Sequence, residues 1–150
     1  MSAADQSRFL QTFSDRRQCF SDLLGFSAEQ LSLIESDDYT RLLAILGSKQ
    51  RVIGRLEEIS RMHPWLWQEW QRHRDGLDSE LRAACEKVLA ETEDVLAELM
   101  QHERNSTTHL SRRRDETQFQ LHRVTAGAQA QAAYRDSLAP RTHRHLDVGQ

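Results

Sequence analysis

DSELRAACEKVLAETEDVLAELMQHERNSTTHLSRRRDETQFQLHRVT, residues 78 to 125, is the stretch whose reading decides the fold. It holds no proline, and no glycine occurs between Gly76 and Gly127. Leu81, Cys85, Val88, Thr92, Val95 and Leu99 recur at alternating spacings of four and three, and Leu77, Ala84, Leu89 and Leu96 widen the stripe. That spacing makes one face of a helix apolar. At 1.5 Å per residue the segment is about 70 Å long. Asp78 stands where a capping residue belongs. The helices upstream are too short to cover it, and this mismatch favours a binding protein over an enzyme.

Working back from that helix, Phe9, Phe13, Phe20, Leu24, Leu31 and Ile34, with Leu10 and Leu23 beside them, give a first helix that starts near Asp5. Gly25 interrupts it. Ser27-Ala-Glu-Gln30 has the form of a capping box, with Phe26 and Leu31 as its hydrophobic staple, so the sequence predicts a kink or a brief break inside one long arm. Ser36-Asp37-Asp38 forms a tight acidic turn in which either aspartate suits the next cap. The second helix runs from Tyr39 to Met62. Its seam is Leu42, Ile45, Lys49, Val52, Leu56 and Ile59, flanked by Leu46 and Ile53. This is a coiled-coil seam with a lysine set into it. The simpler reading has Lys49 snorkel out of a loose core; the other has it set helix register. So tight a turn makes the two helices antiparallel.

His63-Pro-Trp-Leu-Trp-Gln-Glu-Trp70 comes next, with Pro64 suited to the first turn of a short helix. Leu66, Trp67 and Trp70 share one face of it. The simplest role for Trp65, Trp67 and Trp70 is a connector packed across the bundle end, with an exposed aromatic patch for a partner as the alternative. The first two helices reach about 44 and 36 Å, so they cover the long helix to about Glu103. The seam thins at the same place, continuing only through His102 or Glu103 and Ser106. Asn105-Ser-Thr-Thr108, poor helix formers, mark where the helix can break and fold back. Ala128 to Ala133 can extend it, and disorder is expected from Ser137 onward.

The fold expected is therefore all-α: an antiparallel helical bundle or coiled coil of three long helices, with a short Trp-rich connecting helix and a flexible C-terminal tail. Residues 1–136 form the helical domain, with its long helix over about 78–125 or to 133, and 137–150 the tail.

Two prolines, six glycines and 29% charged residues suit a helical protein with a solvated surface. The net charge of −3 hides an asymmetry: residues 78–103 carry eight acidic and two basic side chains, residues 104–150 eight basic and four acidic. Two isolated cysteines, Cys19 and Cys85, fit a reducing cytoplasm better than a disulfide framework. The N-terminal residues lack the pattern of a secretory signal, and no stretch approaches the ~20 apolar residues of a membrane span. A cytoplasmic protein without a membrane span is expected.

Residue spacings offer no catalytic chemistry. His102-Glu103 opens like a zinc-protease motif, but position 106 is serine. No histidine has a glutamate three residues before it, so the di-iron bundle pattern is absent. Neither cysteine sits in a catalytic signature, and Gly47 and Gly54 make no phosphate loop. No metal, no cofactor and no enzymatic activity are expected. Arg112-Arg-Arg114 points in three directions and lacks interleaved aromatics, so nucleic acid is not the expected partner. Leu110, Thr117, Leu121 and Val124 continue a narrow apolar stripe beyond the covered region. It suits a self-dimer, a folded-back fourth helix, or a docking strip for a helical segment of another protein.

The run from Ser36 to Ile59, SDDYTRLLAILGSKQRVIGRLEEI, resembles the signature region of FlgN-type flagellar export chaperones. Asp38, Leu42, Leu46, Lys49, Val52 and Leu56 occupy matching positions, and Asn105, Leu110, Leu121 and Tyr134 resemble the family's distal helix. The resemblance implies a cytoplasmic chaperone that binds hook-associated proteins of the hook–filament junction, prevents their premature assembly and delivers them to the flagellar type III export apparatus. Clients would dock by C-terminal amphipathic helices. Leu110, Thr117, Leu121 and Val124 would make apolar contact, Arg113 and Arg114 would steer acidic flanks, and Tyr134 would meet the export gate. The competing expectation is a structural coiled-coil adaptor or self-assembling bundle without client delivery.

Overall fold

The computed structural model describes residues 2–138. Its helices are α1 (Ala3–Glu35), α2 (Tyr39–Met62), α3 (Leu66–His73) and α4 (Ser79–Leu138), with one 3-10 turn, Arg74–Gly76, before α4. No strand occurs among the described residues, so the fold is all-α. The chain falls into two compact units, Met1–His109 and Leu110–Gln150.

Within Met1–His109, α1 begins at a capping box, two residues before the expected start near Asp5. The Ser2 side chain accepts from the Asp5 N–H, and the Asp5 carboxylate accepts from the Ser2 N–H, each at 3.2 Å. The Ser2 hydroxyl also donates to the Asp5 carboxylate at 2.7 Å, and that bond, with the one from the Ser2 N–H, holds the Asp5 carboxyl below its usual range. From there α1 is one continuous helix through Gly25. Of the expected kink or brief break, the break does not occur: the Ser27 hydroxyl is buried and donates to the Glu103 carboxylate of α4 at 2.5 Å. A partner on another helix replaces the local cap, and burial of Leu23 and Gln30 on either side holds the backbone helical.

The turn from α1 to α2 is a Schellman motif. The Asp38 N–H donates to Leu33 O at 3.0 Å and the Asp37 N–H to Ile34 O at 3.3 Å. Asp37 takes the left-handed position, φ 58°. Asp38 then caps α2 by accepting from the Arg41 N–H at 3.2 Å. The expected span of α2 and its seam both hold: Leu42 and Val52 are buried, and Ile45, Lys49, Leu56 and Ile59 are half-buried.

Three apolar clusters hold this unit as a helical bundle. Phe9 and Phe13 pack with Trp70, Leu77, Cys85 and Val88. Cys19 and Leu23 pack with Val52, and Leu99 joins them. Leu33 and Ile34 pack with Leu42. Thr92 lies in the α4 seam and is buried, its hydroxyl satisfied by Val88 O one turn back at 2.7 Å.

Two expectations about α4 are corrected, where its cover ends and where the helix ends, and the open question of a break is answered. Cover does not end at Glu103: Ser106 is 1% exposed, and His109 Nε2 lies 3.8 Å from Glu35 Oε1. The reason is register: Ser27 stands beside Glu103, and α1 continues from there to Glu35. Nor does α4 break at Asn105–Thr108. Thr107 and Thr108 donate their hydroxyls to Glu103 O and Arg104 O at 2.9 and 3.0 Å, and Asn105 Oδ1 accepts from Gln101 at 3.0 Å. These three side chains are satisfied along the helix, so they do not compete with the backbone, and Ser106 is held by burial instead. α4 runs past both expected ends, 125 and 133, to Leu138. Ser137 and Leu138, assigned to the tail, are helical, and residues 139–150 of that tail lie outside the described residues.

Candidate interaction surface

In the unit Leu110–Gln150, the residues of α4 from Leu110 to Arg135 are exposed with few exceptions; Ser111, Arg113 and Ala132 are half-buried. Turning about 100° per residue, Leu110, Thr117, Leu121 and Val124 fall within an arc of about 60°. Leu121 is 60% exposed, and Leu110 and Val124 are also open. The Thr117 hydroxyl donates to Arg113 O at 2.8 Å, which leaves its methyl as the group offered for apolar contact. Ala128 falls in the same arc and lengthens the stripe by a methyl group. Arg113 and Arg114 stand about 20° beyond either edge of the arc. Arg114 Nε lies 3.7 Å from Asp115, an exposed pair of little energetic weight.

Tyr134 is exposed but stands about 80° beyond the arc, so it does not join the stripe. Phe119 lies on the opposite side of the helix, where the Arg123 guanidinium sits 6.0 Å from its ring. The structure thus brings Leu110, Thr117, Leu121 and Val124 together between two arginines and separates Tyr134 from them.

A second constellation, in Met1–His109, escaped the sequence reading. Lys49 does not snorkel outward: its side chain is 12% exposed. Its ammonium donates to Gln30 Oε1 at 2.7 Å and to the Glu103 carboxylate, which also receives the Ser27 hydroxyl. The polar layer thus draws Ser27 and Gln30 from α1, Lys49 from α2 and Glu103 from α4. Burial by itself would raise the Glu103 carboxyl; hydrogen bonds from Lys49 and Ser27, with the nearby Lys49 and His102, carry it below its usual value. His102 Nδ1 and Ser106 Oγ, on the same stretch of α4, are buried without a hydrogen-bond partner. The signal for this layer was present, since Lys49 interrupts an apolar seam and Ser27, Gln30 and Glu103 fall at seam positions of their own helices. What periodicity lacked was the alignment of one helix with another.

At the connector, Trp70 is 4% exposed and meets Phe9 and Phe13 edge-on, with ring centroids 5.5 and 5.2 Å apart. Trp67 stacks on Phe13 at 5.5 Å and carries the Arg16 guanidinium 4.8 Å from its ring. Trp65 is 64% exposed. It helps to line an open groove of about 460 Å³ with Phe9, Met62, Leu66 and His73. The connector therefore closes the end of the bundle through Trp70, with Trp65 left at the surface.

Comparison with known protein families, with characterised proteins and with solved structures returned no match. Among the described residues no three His, Cys, Asp or Glu side chains converge as a metal site. No described helix is long and apolar enough to cross a membrane.

Proposed function

We propose that this protein is a cytoplasmic flagellar export chaperone that works by binding rather than by catalysis, holding hook-associated proteins until export. The observation that carries the reading is the stripe of Leu110, Thr117, Leu121 and Val124, exposed along α4 and flanked by Arg113 and Arg114. A helix draws most of its stability from packing an apolar face. A stripe left bare is therefore suited to an amphipathic helix of a client, which would fold as it binds. The two arginines favour acidic residues at the edges of that helix.

The reading takes Met1–His109 as the scaffold, a bundle of three long helices with α2 antiparallel to the other two. Its support is the order of the pairings. Leu42 with Ile34, Lys49 with Gln30 and Val52 with Leu23 run in opposite senses along α1 and α2. Arg17 with Glu91, Ser27 with Glu103 and Glu35 with His109 rise together along α1 and α4. Lys49, part of the pattern that resembles the chaperone family, then serves the scaffold and not the client. Tyr134 is assigned to the export apparatus, separate from the client stripe.

The test is calorimetric titration of the full chain with purified hook-associated proteins from the same organism, with Leu121→Asp as control. Saturable binding with a negative heat-capacity change, lost in the variant while its helicity is retained, is the expected result. Absence of heat with every candidate, together with a dimeric mass in solution, would refute it. The stripe would then be a self-association seam, and the protein a structural coiled-coil adaptor.

A further inference from the structure

The Lys49 layer belongs to the unit Met1–His109, and its behaviour does not depend on the chaperone reading. Its two charged members differ in access. The Lys49 side chain is 12% exposed, whereas that of Glu103 is 40% exposed. An ammonium so enclosed is tolerated only while its partners hold it, because it has given up most of its hydration. Protons from solvent reach the carboxylate while the ammonium stays inside.

The position of the layer matters as much as its chemistry. Beyond Leu99, which packs with Cys19, Leu23 and Val52, the α4 seam offers His102, Glu103, Ser106 and His109 and no large apolar side chain. Along this stretch, links to other helices include Glu103 with Lys49 and Ser27, and His109 with Glu35. His102 Nδ1 and Ser106 Oγ are buried there without partners, an arrangement that penalises the packed state.

We propose that the Lys49–Glu103 layer is an acid-released latch that fastens the Leu99–His109 stretch of α4 to α1 and α2. Among the described residues, the charged and titratable groups that act on Glu103 are Lys49 from α2 and His102 from α4; α1 contributes neutral Ser27 to Glu103 and neutral Gln30 to Lys49, and the nearest ion pair farther along is His109 with Glu35. When Glu103 takes up a proton its negative charge is gone, and the enclosed Lys49 ammonium is left with neutral partners. Packing this stretch then isolates a cation, and opening it restores hydration.

The sign is set by Glu103. Its carboxyl is held below the ordinary value of 4.5, so the latch contributes fully above that value. The contribution is lost as pH falls through the lower folded-state value.

Hydrogen exchange of the full chain, corrected for intrinsic rates and stepped from neutral pH down to about pH 3, reads the latch locally. Four proteins are compared: wild type, Glu103→Gln, Lys49→Met and the double variant. Protection of amides 99–109 should be about fivefold higher in wild type than in Glu103→Gln at neutral pH, with the gap closing below the carboxylate range. The double-mutant cycle should give a coupling of similar size that vanishes in acid. Amides around Phe9 and Phe13 should not respond to Glu103→Gln. Parallel pH profiles for wild type and Glu103→Gln, or strictly additive variants at neutral pH, would overturn the proposal. If Lys49→Met does not fold, the comparison of wild type with Glu103→Gln decides alone.

Discussion

Truncating the three tryptophans to alanine, one at a time, should give a steep and ordered series of stability losses. Trp70 is 4% exposed and touches both phenylalanines of the first apolar cluster, so it joins α3 to α1 and, through Leu77, Cys85 and Val88, to the start of α4. A tryptophan buries roughly 150–250 Å², worth about 4–6 kcal/mol at about 25 cal/mol per Å² as an upper bound. Measured losses for such truncations run to about 3–5 kcal/mol. We therefore expect about 4 kcal/mol for Trp70→Ala, and a fall in Tm of roughly 8–16 °C for a chain of this size. Trp67 is 45% exposed but stacks between Phe13 and the Arg16 guanidinium, so Trp67→Ala should cost about 1–1.5 kcal/mol. Trp65, at 64% exposed, should change stability by less than about 0.5 kcal/mol. Urea unfolding followed by far-ultraviolet circular dichroism measures all three without relying on the indoles themselves. A loss below about 1.5 kcal/mol for Trp70→Ala, or a larger loss for Trp65 than for Trp67, would refute the account of the connector as the closure of the bundle end.

The α1–α2 turn should respond with opposite signs at adjacent aspartates. Asp37→Gly relieves a left-handed residue at some cost in unfolded-state entropy and one exposed hydrogen bond from Tyr39, for a net gain of about 0.5 kcal/mol in urea unfolding; Asp38→Ala removes the α2 cap and should cost about 1 kcal/mol. Cys19 and Cys85 are fully buried, and burial pushes both thiols up. A thiol-reactive disulfide dye should label them at least about a hundredfold more slowly in the native protein than in denaturant. Fast labelling of either one in the native state would show that its cluster opens readily.

What the sequence determined by itself was what one helix can encode alone. The three-four spacing on α2 was enough to place it at Tyr39–Met62 with the correct buried seam, because periodicity is a property of consecutive residues. The all-α class, the acidic turn and the exposed stripe at Leu110, Leu121 and Val124 were legible for the same reason. Tertiary structure decided everything that depends on height along a neighbouring helix. Ser27 reads as a cap until Glu103 is found beside it, and Lys49 reads as a snorkelling lysine until Gln30 and the same carboxylate enclose it. Asn105 to Thr108 read as a break until the helix satisfies the side chains of Asn105, Thr107 and Thr108 and the fold buries Ser106, and the covered length of α4 is set by where α1 ends. A polar side chain has several possible hydrogen-bond partners, and only the fold determines which of them lies within reach.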